Sequence, residues 1–149
     1  MTSRRYHVLL VDDNDDHCML IEDMLTGEGF AEQVTRFPDA ETALASLLQP
    51  RAQRKGALHP DFIFLDIRLP GMSGIECLRQ LKQHAATRHI PTIMLTTSQR
   101  EEEIHDSFSA GACGYVVKPI DFAVLAEKIN ALKAYWDQAS ELPTDRAAA

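Results

Sequence analysis

Four short runs of apolar residues recur along the chain, and each run ends on a polar group. The runs occupy residues 8–11, 62–65, 93–95 and 115–117. Continuous apolar runs of this length are typical of strands that are buried on both faces, as in a parallel sheet covered by helices. The polar groups that follow them are Asp12, Asp13, Asp66, Thr96 and Lys118. Ligands bind at the carboxyl ends of the strands in open parallel sheets, so we expect these side chains to meet at one edge.

Between the apolar runs, apolar residues recur at helical spacing, with capping residues or glycines at the boundaries. Asn14, Asp39 and Asp121 stand where helix N-caps are expected, and Gly111 stands where a helix ends. Residues 32–37 add a second strand, and the polar stretch 49–59 predicts a surface loop. The alternation of five strands with five helices predicts a doubly wound α/β domain with right-handed crossovers.

The last two predicted helices carry apolar residues at helical spacing. The fourth helix opens on three glutamates, and its apolar pair is Ile104 and Phe108. The last helix has a predicted core seam and, on a neighbouring face, further apolar residues that include Tyr135. The seam comprises Phe122, Leu125, Ile129, Leu132 and Trp136. Trp136 can either close the core or, like Tyr135, contact a partner, because aromatic residues are favoured at interfaces.

Length and composition narrow the class of protein. The 149 residues predict one domain over 1–149, with a core at about 6–139 and a short tail at 140–149. A net charge of -7 argues against a nucleic-acid surface. No apolar stretch approaches the roughly 20 residues of a membrane helix, and the N-terminus does not resemble a signal peptide. Three dispersed cysteines argue against a disulfide framework, so we expect a reducing cytoplasm.

The acidic residues at the strand ends predict a metal site. Asp12, Asp13 and Asp66 would repel one another at close range unless a cation lay between them. Mg²⁺ takes oxygen ligands and typically binds one or two carboxylates together with a phosphate oxygen. Lys118 and the Thr96 hydroxyl could hold further phosphoryl oxygens. The alternative, that the acids only cap the following helices, would be the better explanation for Asp12 and Asp13 alone.

With these motifs, the chain resembles the receiver domain of two-component response regulators. The resemblance rests on V-D-D-N after the first strand, F-L-D-I-R-L-P-G-M-S-G around the third, L-T-T after the fourth and Y-V-V-K-P at the fifth. It covers roughly residues 7–139 and implies a flavodoxin-like (βα)5 fold, with strand order 2-1-3-4-5 and helices on both faces of the sheet. It also implies a protein that promotes its own phosphorylation and dephosphorylation, without turning over a free substrate.

The resemblance implies a role for each acidic residue. Asp66 matches the aspartate that accepts a phosphoryl group from a sensor histidine kinase. Asp13 matches a direct ligand of Mg²⁺, for which Mn²⁺ can substitute, and Asp12 matches a ligand that acts largely through water. Asp66 itself and the main-chain carbonyl of Arg68 match the remaining protein contacts to the metal.

The resemblance also implies a switch. Lys118 matches the lysine that pairs with the phosphoryl group, and its bond to Pro119 is cis in the family. Thr96 and Tyr115 match a pair in which the hydroxyl moves toward the phosphoryl group and the aromatic ring turns inward.

Two positions beside the predicted acceptor depart from frequent choices in the family. Arg68 is the second residue after Asp66, and Ser98 is the second after Thr96. Both would border the path of a hydrolytic water molecule. We predict that Arg68 pairs with the carboxylate cluster or the phosphoryl group and alters the phosphoryl lifetime. The alternative is an exposed arginine above the site.

The route of the output signal is also predicted. We expect residues 140–149 to be too short for a second domain, so the signal should leave by protein contact with an unknown downstream partner. The long loop before Pro60, the L-T-T-S run and the closing W-x5-L-P resemble the single-domain regulators that partner bacterial phytochromes. Members of that subgroup commonly dimerise through the fourth helix, fifth strand and fifth helix, and Tyr135 and Trp136 are the candidate dimer contacts.

Three other classes remain as alternatives. A receiver-like scaffold could signal without phosphorylation. A haloacid-dehalogenase-type phosphatase would need a D-x-D-x-[TV] signature, which residues 11–17 fit poorly. A flavodoxin-like FMN carrier would need a phosphate loop after the first strand, where this chain places acids.

Overall fold

The computed structural model describes residues 5–49, 59–118 and 121–139. Its five strands are β1 (Tyr6–Val11), β2 (Ala31–Phe37), β3 (Phe62–Leu65), β4 (Thr92–Thr96) and β5 (Gly114–Val117). They form one parallel sheet in the order β2-β1-β3-β4-β5. The predicted fold class and strand order are therefore confirmed.

Five helices alternate with the strands. They are α1 (Asp15–Gly27), α2 (Ala40–Leu47), α3 (Gly74–Gln83), α4 (Glu101–Ala110) and α5 (Phe122–Ala134), which continues as a π-helical segment (Tyr135–Ala139). None of the helices in the described part of the chain is long and apolar enough to cross a membrane.

Two hydrophobic clusters lie on opposite faces of the sheet. Alternate residues of β1 belong to different clusters: Leu9 packs with residues of α2 and α3, whereas Leu10 packs with residues of α1 and α5. All the residues of β3 and β4 are buried, as expected for central strands of a covered parallel sheet. The edge strand β5 is only half-buried. The sheet is therefore most completely buried at the strands that lead to Asp66 and Thr96.

The predicted helix boundaries follow from local hydrogen bonds. Asn14, Asp39 and Asp121 are N-caps, and each side chain accepts a hydrogen bond from a main-chain N–H in the first turn. Gly111 ends α4 with φ of 112°, a left-handed conformation that favours glycine. The second strand begins at Ala31, one residue earlier than predicted.

The structure shows how far the aromatic residues of the last two helices are buried. Phe108, one of the apolar pair of α4, is 50% exposed. Trp136 is half-buried against the core, and its ring meets that of Phe62 edge-on at a centroid distance of 5.0 Å. Tyr135 remains 54% exposed. The geometry therefore favours the core role for Trp136 and leaves Tyr135 as the accessible aromatic.

Some sequence predictions lie outside the described residues. These are Pro119 and its peptide bond, most of the predicted loop at 49–59, the tail at 140–149 and the side chain of Phe122.

Candidate functional site

The register of the parallel strands brings the predicted site residues to one edge of the sheet. Val11 pairs with Leu65, so Asp12 and Asp66 leave neighbouring strands at the same level. Thr96 pairs with Val117, and the main-chain N–H of Lys118 donates to the Thr96 carbonyl over 2.7 Å. The arrangement at the carboxyl ends of the strands is the one that the apolar runs predict.

Three carboxylates form a cluster at this edge. Asp12, Asp13 and Asp66 each offer an oxygen atom within 4.8 Å of the other two. Asp12 is fully buried, Asp66 is 9% exposed and Asp13 is exposed to solvent. The cluster is therefore open on the side of Asp13 and closed beneath Asp12.

Lys118 offsets part of the negative charge of the cluster. Its Nζ donates a hydrogen bond to Oδ2 of Asp12 and lies 3.2 Å from Oδ2 of Asp66. The third ammonium proton is directed to Nδ1 of His17, at 3.2 Å. An ammonium group has three donors, so Lys118 is fully used, and its side chain is only 7% exposed. His17 is a site contact that sequence reasoning missed.

A second cation, Arg36, holds the loop that carries the acids. Its Nε and Nη2 donate to the Asp12 carbonyl over 3.2 and 3.0 Å, and Nη1 donates to Asp15 over 2.6 Å. The hydrogen bond to Asp15 raises the pKa of Arg36. The Cys18 thiol also approaches the Asp12 carbonyl, and burial raises the pKa of this thiol to about 11. In the sequence, Arg36 stands near the end of the second strand. That position could have indicated a cation at the same edge of the sheet as the acids.

Backbone packing fixes Asp66. A Cβ atom on Gly74 would lie 1.9 Å from the main-chain oxygen of Asp66, so only glycine fits where α3 begins. The Gly74 N–H donates to the Ile67 carbonyl over 2.8 Å. The Arg68 N–H lies 3.4 Å from Oδ1 of Asp66. The loop after β3 is thus folded closely around the carboxylate.

The Arg68 guanidinium does not pair with the three aspartates. Its Nη2 lies 2.8 Å from Oε1 of Glu103 on α4. The Ser98 hydroxyl donates to the same carboxylate oxygen. Of the two partners predicted for Arg68, the carboxylate cluster is wrong in this structure, because the side chain extends to Glu103 on α4. Pairing with a phosphoryl group stays a prediction. No pattern in the sequence singled out Glu103 from its two glutamate neighbours.

The predicted switch residues both contact Ser98. The Thr96 Oγ1 accepts a hydrogen bond from the Ser98 N–H over 3.3 Å, and Thr96 is almost completely buried. The Tyr115 hydroxyl donates to the Ser98 carbonyl over 3.0 Å. Burial raises the pKa of Tyr115. The phenol is therefore a neutral donor near neutral pH, and it links β5 to the loop after β4.

With this geometry established, comparison with known proteins identifies the family. A family model described as the response regulator receiver domain matches residues 8–130. The chain belongs to this family. The matched region covers nearly all the described strands and helices. The family is the one that the strand-end motifs resemble.

Individual relatives resemble the chain over most of its length. The probable methanogenesis regulatory protein FilR2 of Methanothrix harundinacea is 34% identical over 130 residues, which are 87% of this chain and 82% of FilR2. The phosphorylated cyanobacterial phytochrome response regulator RcpA is similar in structure, with a TM-score of 0.83, 28% identity, and coverage of 95% of this chain and 100% of RcpA. The Mn²⁺-bound response regulator Rcp1 has a TM-score of 0.80 and 26% identity, with coverage of 93% and 99%.

Proposed function

We propose that this receiver domain accepts a phosphoryl group on Asp66 from a sensor histidine kinase, in a Mg²⁺-dependent reaction. The observation that carries the proposal is the placement of Lys118 between Asp12 and Asp66, within a cluster of three carboxylates. This combination of an accessible acid, a fixed cation and oxygen ligands is what phosphoryl transfer requires. The receiver core would extend over about residues 6–139.

The donor set fits a divalent cation. The three carboxylates converge within 4.8 Å, and oxygen is the ligand that Mg²⁺ prefers. Asp12, Asp13, Asp66 and the Arg68 carbonyl would hold the ion, which when bound neutralises charge on the carboxylates and the phosphoryl oxygens. The similar response regulator Rcp1 has a Mn²⁺-bound form, which supports binding of a divalent cation and the substitution of Mn²⁺ for Mg²⁺.

The contacts of the two buried acids favour Asp66 over Asp12 as the acceptor. Asp12 is fully buried, and its two oxygens are bound by Lys118 and by the Asn14 N–H. Asp66 is partly exposed, and its Oδ1 has only the longer contact of 3.4 Å to the Arg68 N–H. An oxygen of Asp66 would form the new O–P bond as the P–N bond of a phosphohistidine breaks. Lys118 would then exchange one of its present acceptors for an added phosphoryl oxygen.

The signal would pass from the site through Thr96 and Tyr115 to the surface formed by α4, β5 and α5. Ser98 contacts both residues, which gives them a common structural neighbour. This surface is the proposed site of homodimerisation, with Tyr135 as an exposed aromatic residue at the end of α5. Trp136 would support it from the core side, since its ring packs on Phe62.

We further propose that the partner kinase is a phytochrome and that the protein acts in the cytoplasm. The structural similarity to RcpA, a phytochrome response regulator, supports this assignment, as do the three sequence features of the phytochrome-associated subgroup. Phosphotransfer from a panel of purified sensor kinases, including a bacteriophytochrome, tests it. Preferred transfer from a kinase of another class would contradict it.

The acceptor assignment is tested by incubation with acetyl phosphate and Mg²⁺. We expect intact-mass spectrometry to detect one acid-stable, base-labile phosphoryl group, which Asp66→Asn removes. Asp61→Asn is the matched control, because Asp61 precedes β3 at the opposite end of the strand from Asp66. Failure of the folded protein to acquire the group would favour a phosphorylation-independent scaffold. Turnover of small phosphate esters would favour the phosphatase alternative.

The dimer is tested by light scattering over a range of concentrations, with and without phosphorylation. We expect Tyr135→Ser to weaken association without unfolding the protein, since the side chain is 54% exposed. A strict monomer at high micromolar concentration in both states would contradict the dimer.

A further inference from the structure

Glu103 differs from the other glutamates at the start of α4. Its side chain is only 16% exposed, whereas that of Glu102 is 83% exposed. One of its oxygens, Oε1, receives hydrogen bonds from both Arg68 and Ser98. Glu103 therefore joins the loop after β3 to the loop after β4.

Arg68 starts beside the proposed acceptor and ends at Glu103. Its main-chain N–H lies 3.4 Å from Oδ1 of Asp66, and its guanidinium lies 2.8 Å from Glu103. The arginine side chain is 59% exposed, so little packing holds it in this orientation. It is free to rotate about its own χ angles toward a new anion on Asp66.

Ser98 extends the connection to the switch residues. Its hydroxyl contacts Glu103, its N–H donates to Thr96, and its carbonyl accepts a hydrogen bond from Tyr115. A change at Glu103 would therefore reach both switch residues through one intermediate.

A phosphoryl group on Asp66 would compete with Glu103 for the arginine. It carries about −1.5 to −2 charges at neutral pH, compared with a single charge on a carboxylate. Its oxygens also match the paired donors of a guanidinium, which makes it the stronger partner for Arg68.

We propose that Glu103 is a positioning residue that holds Arg68 at α4, and that a phosphoryl group on Asp66 draws Arg68 away from it. This inference rests on the proposed phosphoacceptor function. Glu103 then opposes binding at the site, because Nη2 of Arg68 has to leave this ion pair before it can contact the phosphoryl group. When the pair breaks, Ser98 alone donates a hydrogen bond to the Glu103 carboxylate. Glu103 then no longer connects α4 to the loop after β3.

The experiment measures binding of beryllium fluoride with Mg²⁺, a non-covalent mimic of the phosphoryl group. Glu103→Gln should tighten binding by about two- to fivefold, the range expected for an ion pair near the surface. Glu102→Gln removes the same charge from the same helix turn without touching Arg68, so it should leave binding unchanged. In an Arg68→Gln background, Glu103→Gln should have no effect.

A spectroscopic signature separates positioning from a structural role. In ¹⁵N-labelled wild-type protein, the side-chain Nε–H resonance of Arg68 should shift when beryllium fluoride is added. In the Glu103→Gln variant, that resonance should already be displaced before addition. Arg68→Gln identifies the resonance by its loss.

Several results would overturn the inference. These are equal effects of Glu103→Gln and Glu102→Gln, persistence of the Glu103→Gln effect without Arg68, or weaker binding in Glu103→Gln. A folded wild-type protein that binds no beryllium fluoride would instead overturn the proposed function itself, so the two failures are distinguishable.

Discussion

Helices α3 and α4 have the same length but very different support from the core. Each has ten residues, and they are neighbours along the chain. The buried residues of α3 are Gly74, Ile75, Cys77, Leu78 and Leu81. In α4 only Ser107 is buried, and the apolar Phe108 is half exposed.

This difference in burial matches a difference in what the two helices contact. The first residue of α3, Gly74, packs directly against the main chain of Asp66, so this helix fixes the position of the proposed acceptor. The polar contacts of Glu103 hold α4 to the loops, and few apolar contacts would be lost if the helix moved. An element with little buried apolar surface is more easily displaced, which suits the proposed role of this surface in responding to phosphorylation.

The largest expected contrast is in core packing. Leu78→Ala in α3 should lower the free energy of unfolding by about 2–5 kcal/mol, because Leu78 is fully buried and the change leaves a cavity. Phe108→Ala in α4 should cost less than about 1 kcal/mol, since half of the ring is already exposed. Urea denaturation measures both. Similar losses would show that α4 is as firmly packed as α3.

The glycines of the two helices should also behave differently. Gly74→Ala should destabilise the fold by about 1–3 kcal/mol or more and weaken binding of Mg²⁺, because the new methyl group collides with the Asp66 backbone. Gly111→Ala places a side chain at φ of 112°, which should cost about 1–2 kcal/mol and leave metal binding unchanged. Calorimetric titration and thermal unfolding separate the two effects. Loss of metal binding in Gly111→Ala would contradict the inference that α3 is the helix that supports Asp66.

Helix capping offers a smaller contrast. The Ser73 hydroxyl accepts a hydrogen bond from the Glu76 N–H over 3.2 Å, so Ser73→Ala should cost about 1 kcal/mol. The N-cap of α4 is Arg100, which makes no side-chain capping bond, and Arg100→Ser should therefore stabilise the protein by about 0.5 kcal/mol. Denaturation midpoints test both changes. A loss of stability in Arg100→Ser would show that the arginine has another structural role.

The smallest effect at neutral pH concerns the thiols. Cys77 of α3 is buried, and desolvation raises its pKa from 9.0 to about 12. The folded state thus favours the neutral thiol, so its contribution to stability is complete below pH 9 and is lost as the pH rises toward 12. Cys77→Val should lack this part of the alkaline destabilisation. Iodoacetamide at pH 8 should modify the exposed Cys113, which follows α4, well before the buried Cys77. Faster modification of Cys77 would contradict this difference in burial between the two thiols.

Much of the fold could be predicted because its signals are local. A continuous apolar run specifies a buried strand, and Asn14, Asp39 and Asp121 satisfy main-chain donors within one turn of their own position. The candidate acids follow from the same logic, since parallel strands bring their carboxyl ends to one edge. The acceptor, metal and switch roles remain predictions that the proposed experiments test.

Only the tertiary structure decided which distant groups meet. Arg68 and Glu103 are on separate elements, and their ion pair depends on where α4 rests on the sheet. Whether Phe108 faces the core or solvent also depends on that packing, because helical periodicity places it on a face without saying what covers the face. Long-range contacts form only when whole elements pack. The sequence by itself therefore determined the strands, the helix caps and the acidic edge of the sheet. Packing decided the partner of the Arg68 side chain and the exposure of α4.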